Sequence, residues 1–312
     1  MSKSFPKILQ LGDPRVVEQL ATGVVDITEK VDGSLFSFGL SYEDELQYRS
    51  KGQDLTNNPS PQKLFLPAIA GVLDRTALIG SILKPGEWVF GETLSSPHHN
   101  TLSYERVPKD NFIVFGYFNQ NGWANIEEVQ VIASKLGYEV VPHIYSGPMP
   151  SLPTIEQLLT AGSVLGKELI EGVVVRHRSA FWAGFGSEPS PVLVKYVRPE
   201  FKERNSATWE GVKTSSSGKV ELILEGYRTE ARWNKAIQHL WDNDQLQGRM
   251  QDMPLLVQEV EKDVVLECEA EIKEAIWKAV RKDLMRTVNR GLAEHYKMEL
   301  AKGVVEGVEV QS

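Results

Sequence analysis

The chain has 312 residues, of which 41% are hydrophobic, and a formal net charge of −8. This length predicts one large or two ordinary domains with a packed core. No apolar run approaches the about 20 residues needed to cross a membrane, and we expect no secretory signal at the N-terminus. The single cysteine, Cys268, excludes an internal disulfide and indicates a reducing, cytoplasmic setting. The acidic balance argues against a uniformly basic nucleic-acid binder but permits a local basic groove.

The first part of the chain is predicted to be rich in strands. Residues 24–28 form a predicted strand that leads into Lys30, and residues 35–40 alternate apolar and small side chains with a period of two. The segments 51–62 and 95–110 are predicted loops, the first because it is rich in Asn, Pro and Ser. Lys30 is therefore expected close to a strand end, on a rigid support.

The segment between these two strands reads Glu29-Lys30-Val31-Asp32-Gly33-Ser34. A lysine two residues before Asp-Gly suits an amine that attacks a nucleotide phosphate and then carries the nucleotide as a phosphoramide. Because an amine must be neutral to attack, we expect the pKa of Lys30 to lie well below its ordinary value of ~10.4. Asp32 would orient the amine or the ribose, and Gly33 would permit a close backbone approach. Taken alone, Asp-Gly is equally typical of a surface turn.

Four more predicted strands follow. Residues 88–94 are an apolar run that contains Gly-Glu, and residues 112–118 are rich in aromatic side chains. Residues 170–176 are β-branched and open with a carboxylate and a glycine, whereas residues 192–198 carry a lysine within an apolar run. Each of these patterns is weak by itself, and the aromatic side chains are also typical of a core strand.

The remaining elements are predicted to be helical. Residues 125–137 form an amphipathic helix that stops at Gly137, and residues 155–165 form a second short helix. Composition changes after Phe201, which predicts a first domain over 1–203, a flexible serine-containing linker over 204–225 and a helical domain over 226–312.

The C-terminal helices carry two patterns. An apolar stripe with steps of three and four residues predicts a core-facing surface formed by Trp277, Val280, Leu284, Val288 and Leu292. Four cations at intervals of four share one helical face: Lys278, Lys282, Arg286 and Arg290. This face is suited to tracking a phosphate backbone, although a solvated helix surface shows the same pattern.

Five of these segments together resemble the covalent nucleotidyltransferase superfamily, which comprises DNA ligases, RNA ligases and mRNA capping enzymes. The matching positions, in the order and at the approximate intervals of that superfamily, are Lys30 to Gly33, Glu92, Phe115 or Tyr117, Glu171 and Lys195. The resemblance covers roughly residues 5–203 and is closest to the RNA ligases of the phage nick-sealing type. It implies an α+β fold: an ATP-grasp-like nucleotidyltransferase domain of antiparallel sheets with flanking helices, followed by an all-α C-terminal domain.

The resemblance also implies a role for each matching residue. Lys30 would be the nucleophile, Lys195 the cation on the phosphate and Glu171 the group that holds a divalent metal, Mg²⁺ or Mn²⁺. The nucleotide would be bound by Glu29 near the adenine, Asp32 and Gly33 beside the lysine, Glu92 on the ribose hydroxyls, Phe115 stacked on the base (with Tyr117 as the alternative), and Arg49 on a phosphate or the nucleic-acid end. Many family members have Lys-x-Lys in the last strand, whereas this chain has Val197 at the second position. Because Arg198 points to the other face of a regular strand, the second phosphate contact would fall to Lys51 or, across a bulge, to Arg198.

The implied activity is that of an ATP-dependent RNA ligase that joins 3′-hydroxyl and 5′-phosphate ends through lysyl-AMP and an adenylylated strand. Its expected partners are RNA ends or a nicked duplex, with no membrane and no obligate protein partner. The alternatives are a DNA ligase, a capping-type guanylyltransferase, or a non-catalytic protein that binds nucleotide or RNA on the same fold. The helical tail favours RNA ligase, because the first two alternatives usually continue into an OB-fold barrel.

Overall fold

The structure is a computed structural model that describes residues 3–99, 102–166, 168–184, 189–198 and 215–305. The chain separates into two compact units. Unit 1 comprises Met1–Lys202 and Glu230–Val260, and unit 2 comprises Glu203–Thr229 and Glu261–Ser312.

The first sheet of unit 1, sheet A, has five strands and carries Lys30. In spatial order they are β1 (Leu9–Gln10), β13 (Ser190–Val197), β12 (Gly172–Trp182), β2 (Val25–Lys30) and β11 (His143–Gly147). Only the short β1 runs parallel to its neighbour in this sheet, and the other pairs are antiparallel. Sequence-distant strands are thus adjacent, since β2 pairs with β12 in the centre of the sheet.

The second sheet, sheet B, carries Glu92 and Phe115. Its spatial order is β10 (Glu139–Val140), β8 (Phe112–Asn119), β5 (Trp88–Thr93), β3 (Ser34–Leu40) and β4 (Leu46–Ser50), with β9 (Gly122–Trp123) paired to β8. The predicted loop at 95–110 contains a small hairpin of β6 (His98–His99) and β7 (Leu102–Ser103). All the strands predicted from alternation and β-branched content are confirmed within a few residues.

Each sheet buries one face in its own core. Sheet B packs Phe36, Phe38 and Phe112 against three helices, α2 (Leu66–Leu73), α3 (Thr76–Ile82) and α4 (Ile126–Leu136). Sheet A packs its apolar face, including Ile27, Val173 and Val175, near α1 (Val17–Leu20) and α5 (Leu152–Leu158). Because side chains alternate along a strand, the residues between these positions face the opposite side of each sheet, where the functional side chains lie.

Of the two helices predicted in this unit, one has the predicted bounds and the other does not. Helix α4 is confirmed, with a capping box between Asn125 and Glu128 and Gly137 in the left-handed conformation at φ 76°. The prediction of a helix over 155–165 is wrong at both ends, since α5 spans Leu152–Leu158. Pro153 occupies the first helical turn, where its missing N–H costs nothing.

The predicted domain boundaries at the C-terminal end need correction. The second half of the predicted linker is helix α6 (Ser216–Glu225), with Ser215 capping it by accepting from the Gly218 N–H; residues 204–214 lie outside the described part. Helix α7 (Glu230–Asp242) and the first turns of α8 (Met253–Val288) belong to unit 1 rather than to one separate helical domain. The His239 ring, for example, lies 2.9 Å from the Gln62 side chain.

Unit 2 contains α6, most of α8 and α9 (Leu292–Val305), and has a small core. Ile223 and Tyr227 pack on Cys268 and Ala279 of α8. The predicted core stripe is wrong for four of its members, because Trp277, Leu284, Val288 and Leu292 are 48%, 41%, 67% and 59% exposed. The neighbouring face, which carries smaller side chains, receives α6 instead. The single cysteine, Cys268, is buried within α8.

Among the described helices, no single one has both the length and the apolar content to span a membrane. One bent pair, Lys63–Leu73 with Thr76–Ile82, passes on length and composition alone.

Candidate active site

Lys30 lies at the end of β2, as predicted, and pairs with a carboxylate from the neighbouring strand. Its Nζ is 2.6 Å from Glu171 Oε2. The register explains this contact, because Lys30 lies opposite Gly172, the first residue of β12. A Cβ at Gly172 would lie 2.5 Å from the Tyr196 carbonyl oxygen, so only glycine lets β12 approach β13 this closely. Two residues 141 positions apart are thereby brought into direct contact.

Asp32 and Glu92, together with Glu171, surround the Lys30 amine with acidic side chains. The charges of both act on Lys30 together with that of Glu171. Gly33 makes this possible, since a Cβ there would lie 2.8 Å from Glu92 Cβ. The predicted close approach at Gly33 is therefore a contact between β5 and the turn after β2. Its φ is not in the left-handed region, so close packing alone explains the glycine.

The electrostatics of Lys30 differ from the prediction. Burial would lower the pKa of the ammonium, but the carboxylates of Glu171, Asp32 and Glu92 outweigh it and raise the pKa above the ordinary value. The expected depression of the Lys30 pKa is therefore wrong for this arrangement. The physical reason is that three acidic side chains surround one amine that is only 21% exposed.

The pKa values of the carboxyl groups in this cluster are shifted as well. Burial raises the pKa of Glu171 to about 7, with the Lys30 ammonium opposing the shift. Burial likewise raises the pKa of Glu92 to about 8. Glu92 Oε2 is shielded from solvent and has no hydrogen-bond partner in the described structure. A buried oxygen in that position is costly unless a ligand donates to it, so Glu92 is poised to accept a hydrogen bond.

Lys195 faces the same side of sheet A as Lys30. It lies opposite Val174 on β12, and its charge acts on Glu171. Strand β13 runs in regular register from Leu193 to Val197, so no bulge turns the following arginine inward. The backbone N–H of Arg198 donates to the Glu171 carbonyl at 3.0 Å. The charge of Lys51, one of the two predicted substitutes for the missing lysine, acts on the carboxylate of Glu92.

The structure decides between the two aromatic candidates on β8. The pairing of β5 with β8 shifts register between Phe90 and Gly91, which leaves Phe115 as the extra residue of a bulge. Phe115 therefore packs near Val31, beside the nucleophile, in a cluster separate from the main core. Tyr117 faces the main core, where its hydroxyl donates to Glu87 Oε2 at 2.6 Å. The bulge thus turns Phe115 away from the core that Tyr117 faces, and Phe115 stays the predicted stacking residue.

An aromatic residue from the N-terminal segment joins Phe115, and the sequence had given no sign of it. The Phe5 ring contacts Phe115 edge-on at 4.9 Å between centroids, and it also contacts Phe90 and Trp123. A Cβ at Gly116 would lie 2.8 Å from the Phe5 ring. No periodic pattern surrounds Phe5 in the sequence, so only the tertiary structure places it here.

The side chain of Glu29 does not reach the face that carries Lys30. It is 2% exposed and accepts hydrogen bonds from Ser163 Oγ at 2.6 Å and from the Val164 N–H at 3.1 Å. Adjacent strand residues point to opposite faces, so the Glu29 carboxylate and the Lys30 amine lie on different sides of sheet A, and the adenine contact of Glu29 stays a prediction. Glu29 ties β2 to the loop after α5.

Arg49 shares the face of sheet B that carries Glu92, because their partners on β3, Ser37 and Leu35, are two residues apart. Arg49 lies on the edge strand β4 opposite Ser37, and its Nε donates to the Ser50 carbonyl at 3.3 Å. The four cations of the helical tail are exposed in unit 2. Arg176 of β12 donates to the Trp123 carbonyl at 2.9 Å and has a buried Nε without a partner among the described residues.

A divalent metal fits the acidic side chains, although they do not form a closed cage. Among the described residues, no three or more His, Cys, Asp or Glu side chains form a group suited to a metal ion. Mg²⁺ is usually held by one or two carboxylates with phosphate and water, so an open set is compatible with it. Burial, with a smaller contribution from neighbouring carboxylates, raises the pKa values of Glu92 and Glu171, and a bound cation would stabilise their charged forms.

A surface groove of about 450 Å³ lies elsewhere and shares no residue with this site. It is lined by side chains of α4 and the β8–β9 turn, including Glu87 and Tyr117, which are bonded to each other. Of the predicted site residues, the groove contains only the alternative aromatic residue Tyr117 and none of the charged ones.

Comparison with solved structures finds similar proteins at low identity. A mutant of the Naegleria gruberi RNA ligase with ATP and Mn has 13% identity and a TM-score of 0.45, covering 64% of this chain and 56% of its own. The same ligase with PPi has 14% identity and a TM-score of 0.46, covering 61% and 56%. An archaeal ATP-dependent RNA ligase has 15% identity and a TM-score of 0.45, covering 89% and 65%. This chain thus spans little more than half the length of the Naegleria proteins.

Comparison with known sequences gives one negative and one positive result. No curated protein matches the chain. The sequence profile of the RNA ligase family matches residues 23–197, more than half of the 312 residues. That range starts before β2 and ends with β13, so it contains Lys30, Glu92, Phe115, Glu171 and Lys195. The chain belongs to the RNA ligase family.

Proposed function

We propose that this protein is an ATP-dependent RNA ligase. Lys30 takes AMP from ATP with release of pyrophosphate, passes it to a 5′-phosphate end, and the 3′-hydroxyl of a second end then displaces AMP. The observation that carries the proposal is the contact of Lys30 Nζ with Glu171 Oε2 at 2.6 Å, with Glu92 and Asp32 around it. Membership of the RNA ligase family supports it.

Glu171 is the proton acceptor for the first step. The Lys30 ammonium must lose a proton before its lone pair can attack, and Glu171 Oε2 is the atom within hydrogen-bond distance. Burial raises the pKa of Glu171, which makes its carboxylate a stronger proton acceptor than an exposed one. The N–P bond then forms as the bond from the α-phosphorus to the bridging oxygen breaks, and pyrophosphate leaves with the electron pair.

The nucleotide is held by side chains on both sheets. The ribose hydroxyls donate to Glu92 Oε2, the buried oxygen that has no partner within the described structure. Phe115 stacks on the adenine, a contact worth ~1–3 kcal/mol per base. Lys195 and Lys51 supply positive charge on the phosphate side, since their charges act on Glu171 and Glu92.

A divalent cation, Mg²⁺ or Mn²⁺, would be held by Glu171 and would supply positive charge that favours the neutral amine and the growing charge on phosphate. The residues themselves fit this role, because the carboxylates of Glu171, Asp32 and Glu92 lie around one amine and carboxylate oxygens are the ligands that Mg²⁺ prefers.

The RNA substrate is proposed to be a nick in a duplex, the phage nick-sealing type of reaction. The exposed cations of α8 (Lys278, Lys282 and Arg286), with Arg290 beyond its end, support a duplex contact. A role in RNA repair in a reducing, cytoplasmic setting goes with this proposal, and the single buried thiol, Cys268, supports the reducing setting.

Labelling with radioactive nucleotide tests the proposal directly. Purified protein is incubated with α-labelled ATP or GTP and Mg²⁺, and the product is resolved on a denaturing gel. We expect a label from ATP that Lys30→Ala abolishes and that Lys135→Ala, at an exposed position of α4, leaves intact. An adduct on Lys30→Ala protein would contradict the nucleophile assignment.

The same experiment distinguishes the alternatives. A label from GTP alone would favour a capping-type guanylyltransferase. A label from ATP followed by sealing of DNA nicks but not RNA nicks would favour a DNA ligase. Absence of any adduct on a correctly folded protein would favour the non-catalytic nucleotide binder.

A further inference from the structure

The backbone on one side of Lys30 is held by a tyrosine from the loop between β5 and β8. The Asp32 N–H donates to Tyr104 Oη at 2.8 Å. Tyr104 is 4% exposed and Asp32 is 8% exposed, so water does not replace this contact easily. Asp32 follows the nucleophile by two residues, which means that Tyr104 fixes the turn through which Lys30 leaves β2.

The backbone on the other side of Lys30 is held by its preceding residue. The Glu29 carboxylate accepts from Ser163 Oγ at 2.6 Å and from the Val164 N–H at 3.1 Å. Ser163 Oγ in turn accepts from the Leu165 N–H at 3.1 Å. The loop after α5 is therefore locked onto the residue immediately before the nucleophile.

These two holding points are joined to each other. The Leu165 carbonyl accepts from the N–H groups of Glu105 and Arg106, at 3.0 and 3.2 Å, directly after Tyr104. Gly166 keeps this junction tight, since a Cβ there would lie 2.6 Å from the Glu105 nitrogen. Hydrogen bonds, closed by the backbone from Tyr104 to Glu105 and from Glu29 to Asp32, thus form a ring that includes the Lys30 backbone. We call this ring the lysine clasp: Glu29, Ser163, Leu165, Tyr104 and Asp32.

We propose that Tyr104 is a positioning residue for Lys30, because its hydroxyl closes the lysine clasp and so keeps Nζ beside Glu171. This inference rests on the proposed function. Tyr104 touches neither Lys30 Nζ nor a phosphate in the structure's hydrogen bonds, and it acts through the Asp32 backbone. Proton transfer from Nζ needs a distance close to the observed 2.6 Å. Loss of the hydroxyl leaves a buried N–H without its acceptor, which favours a shifted turn.

The test compares two tyrosines that each lose a buried hydroxyl. Tyr104→Phe opens the lysine clasp, and Tyr117→Phe removes a hydroxyl that donates to Glu87 in the main core. We expect the maximal rate of Lys30 adenylylation to fall about 10-fold in Tyr104→Phe, with the KM for ATP changed less than two-fold. Tyr117→Phe should leave both constants within two-fold of the wild type. Equal behaviour of the two variants would overturn the inference.

A double-mutant cycle with Ser163→Ala checks that the effect passes through the clasp. Both substitutions open the same ring, so we expect the double variant to lose no more rate than the slower single variant. Ser163→Ala combined with Tyr117→Phe should instead be additive. Additive losses for Tyr104 and Ser163 would show two unrelated structural effects and would contradict the clasp.

A second measurement does not depend on ligase activity. Each protein is treated briefly with acetic anhydride, and acetylation of the Lys30 peptide is followed by mass spectrometry. We expect Lys30 to react at least about 3-fold faster in Tyr104→Phe than in Tyr117→Phe, because an amine displaced from Glu171 is more accessible. If wild-type protein forms no AMP adduct, the proposed function fails, yet this measurement still decides the clasp. Equal acetylation in both variants would overturn it.

Discussion

The surroundings of Lys30 and the helices of unit 2 are built in opposite ways. Lys30 is surrounded by side chains from β2, β5 and β12, which are far apart in sequence and meet through strand pairing. Unit 2 is held by the small cluster that joins α6 to α8, whereas α8 leaves several large apolar and basic side chains exposed. The first region is organised for chemistry at one atom, and the second offers an extended surface.

The two regions therefore differ in the substitutions that they tolerate. At the active site, a loss of one group leaves its buried neighbours unpaired, and the penalty is large. On an exposed helix, a loss of one charge is compensated by solvent and by neighbouring charges. A single substitution around Lys30 should therefore have a strong effect. On α8, each substitution should have a weak effect, and several together are needed for a large one.

The largest effect is expected for Glu171→Gln. The variant removes the proton acceptor beside Lys30 while keeping its size, so the rate of AMP transfer should fall by about 100-fold or more. Radioactive labelling measures the rate. Glu156→Gln, a surface substitution on α5, is the control. A loss below about 3-fold would place the proton acceptor elsewhere and would weaken the contrast between the two regions.

Reversal of the tail cations should have a smaller effect, confined to the nucleic acid. The triple variant Lys278→Glu, Lys282→Glu and Arg286→Glu should reduce sealing of a nicked RNA duplex about 10-fold and lower its salt dependence. Formation of lysyl-AMP should stay within about two-fold of the wild type, because these residues lie in unit 2. Unchanged sealing at both low and high salt would leave α8 as a solvated surface only.

A moderate effect is expected at the N-terminal aromatic side chain. Phe5→Ala removes the edge-on contact with Phe115, a type of pair worth about 0.5–1.5 kcal/mol. We expect the KM for ATP to rise about 5-fold with a smaller change in maximal rate. Phe5→Leu should recover part of the affinity. An unchanged KM would separate Phe5 from the base-binding role of Phe115.

The smallest effect concerns stability as a function of pH. Glu92 has a folded pKa of about 8, raised by burial from the ordinary value of 4.5. The folded protein keeps this proton while the unfolded chain loses it, so stability is greatest below about pH 4.5 and falls as the pH rises to about 8. We expect the melting temperature of AMP-free protein to fall by a few degrees between pH 5.5 and 8. Each kcal/mol of lost stability lowers the melting temperature by about 2–4 °C.

Glu92→Gln is the matched variant, because an amide does not titrate. Its melting temperature should fall less than that of the wild type over the same pH range, by calorimetry or fluorescence. An identical pH dependence in both proteins would mean that Glu92 is already ionised in the folded state.

Much of this protein was determined by local sequence. Alternation and β-branched content predicted the strands, capping and Gly137 predicted α4, and the spacing of five motifs predicted the family and the cluster of Lys30, Glu92, Glu171 and Lys195. These features depend on neighbouring residues or on a chemical need that the residue types reveal.

Other features were decided only by tertiary structure. The bulge at Phe115, the buried contact of Glu29 with Ser163, the raised pKa of Lys30 and the placement of Phe5 and Tyr104 depend on segments distant in sequence. The same holds for α8, where the face that packs is chosen by α6 rather than by its own apolar stripe. Periodicity shows which side chains share a face, but the segment that covers a face, and the charges it brings, are fixed only when the chain has folded.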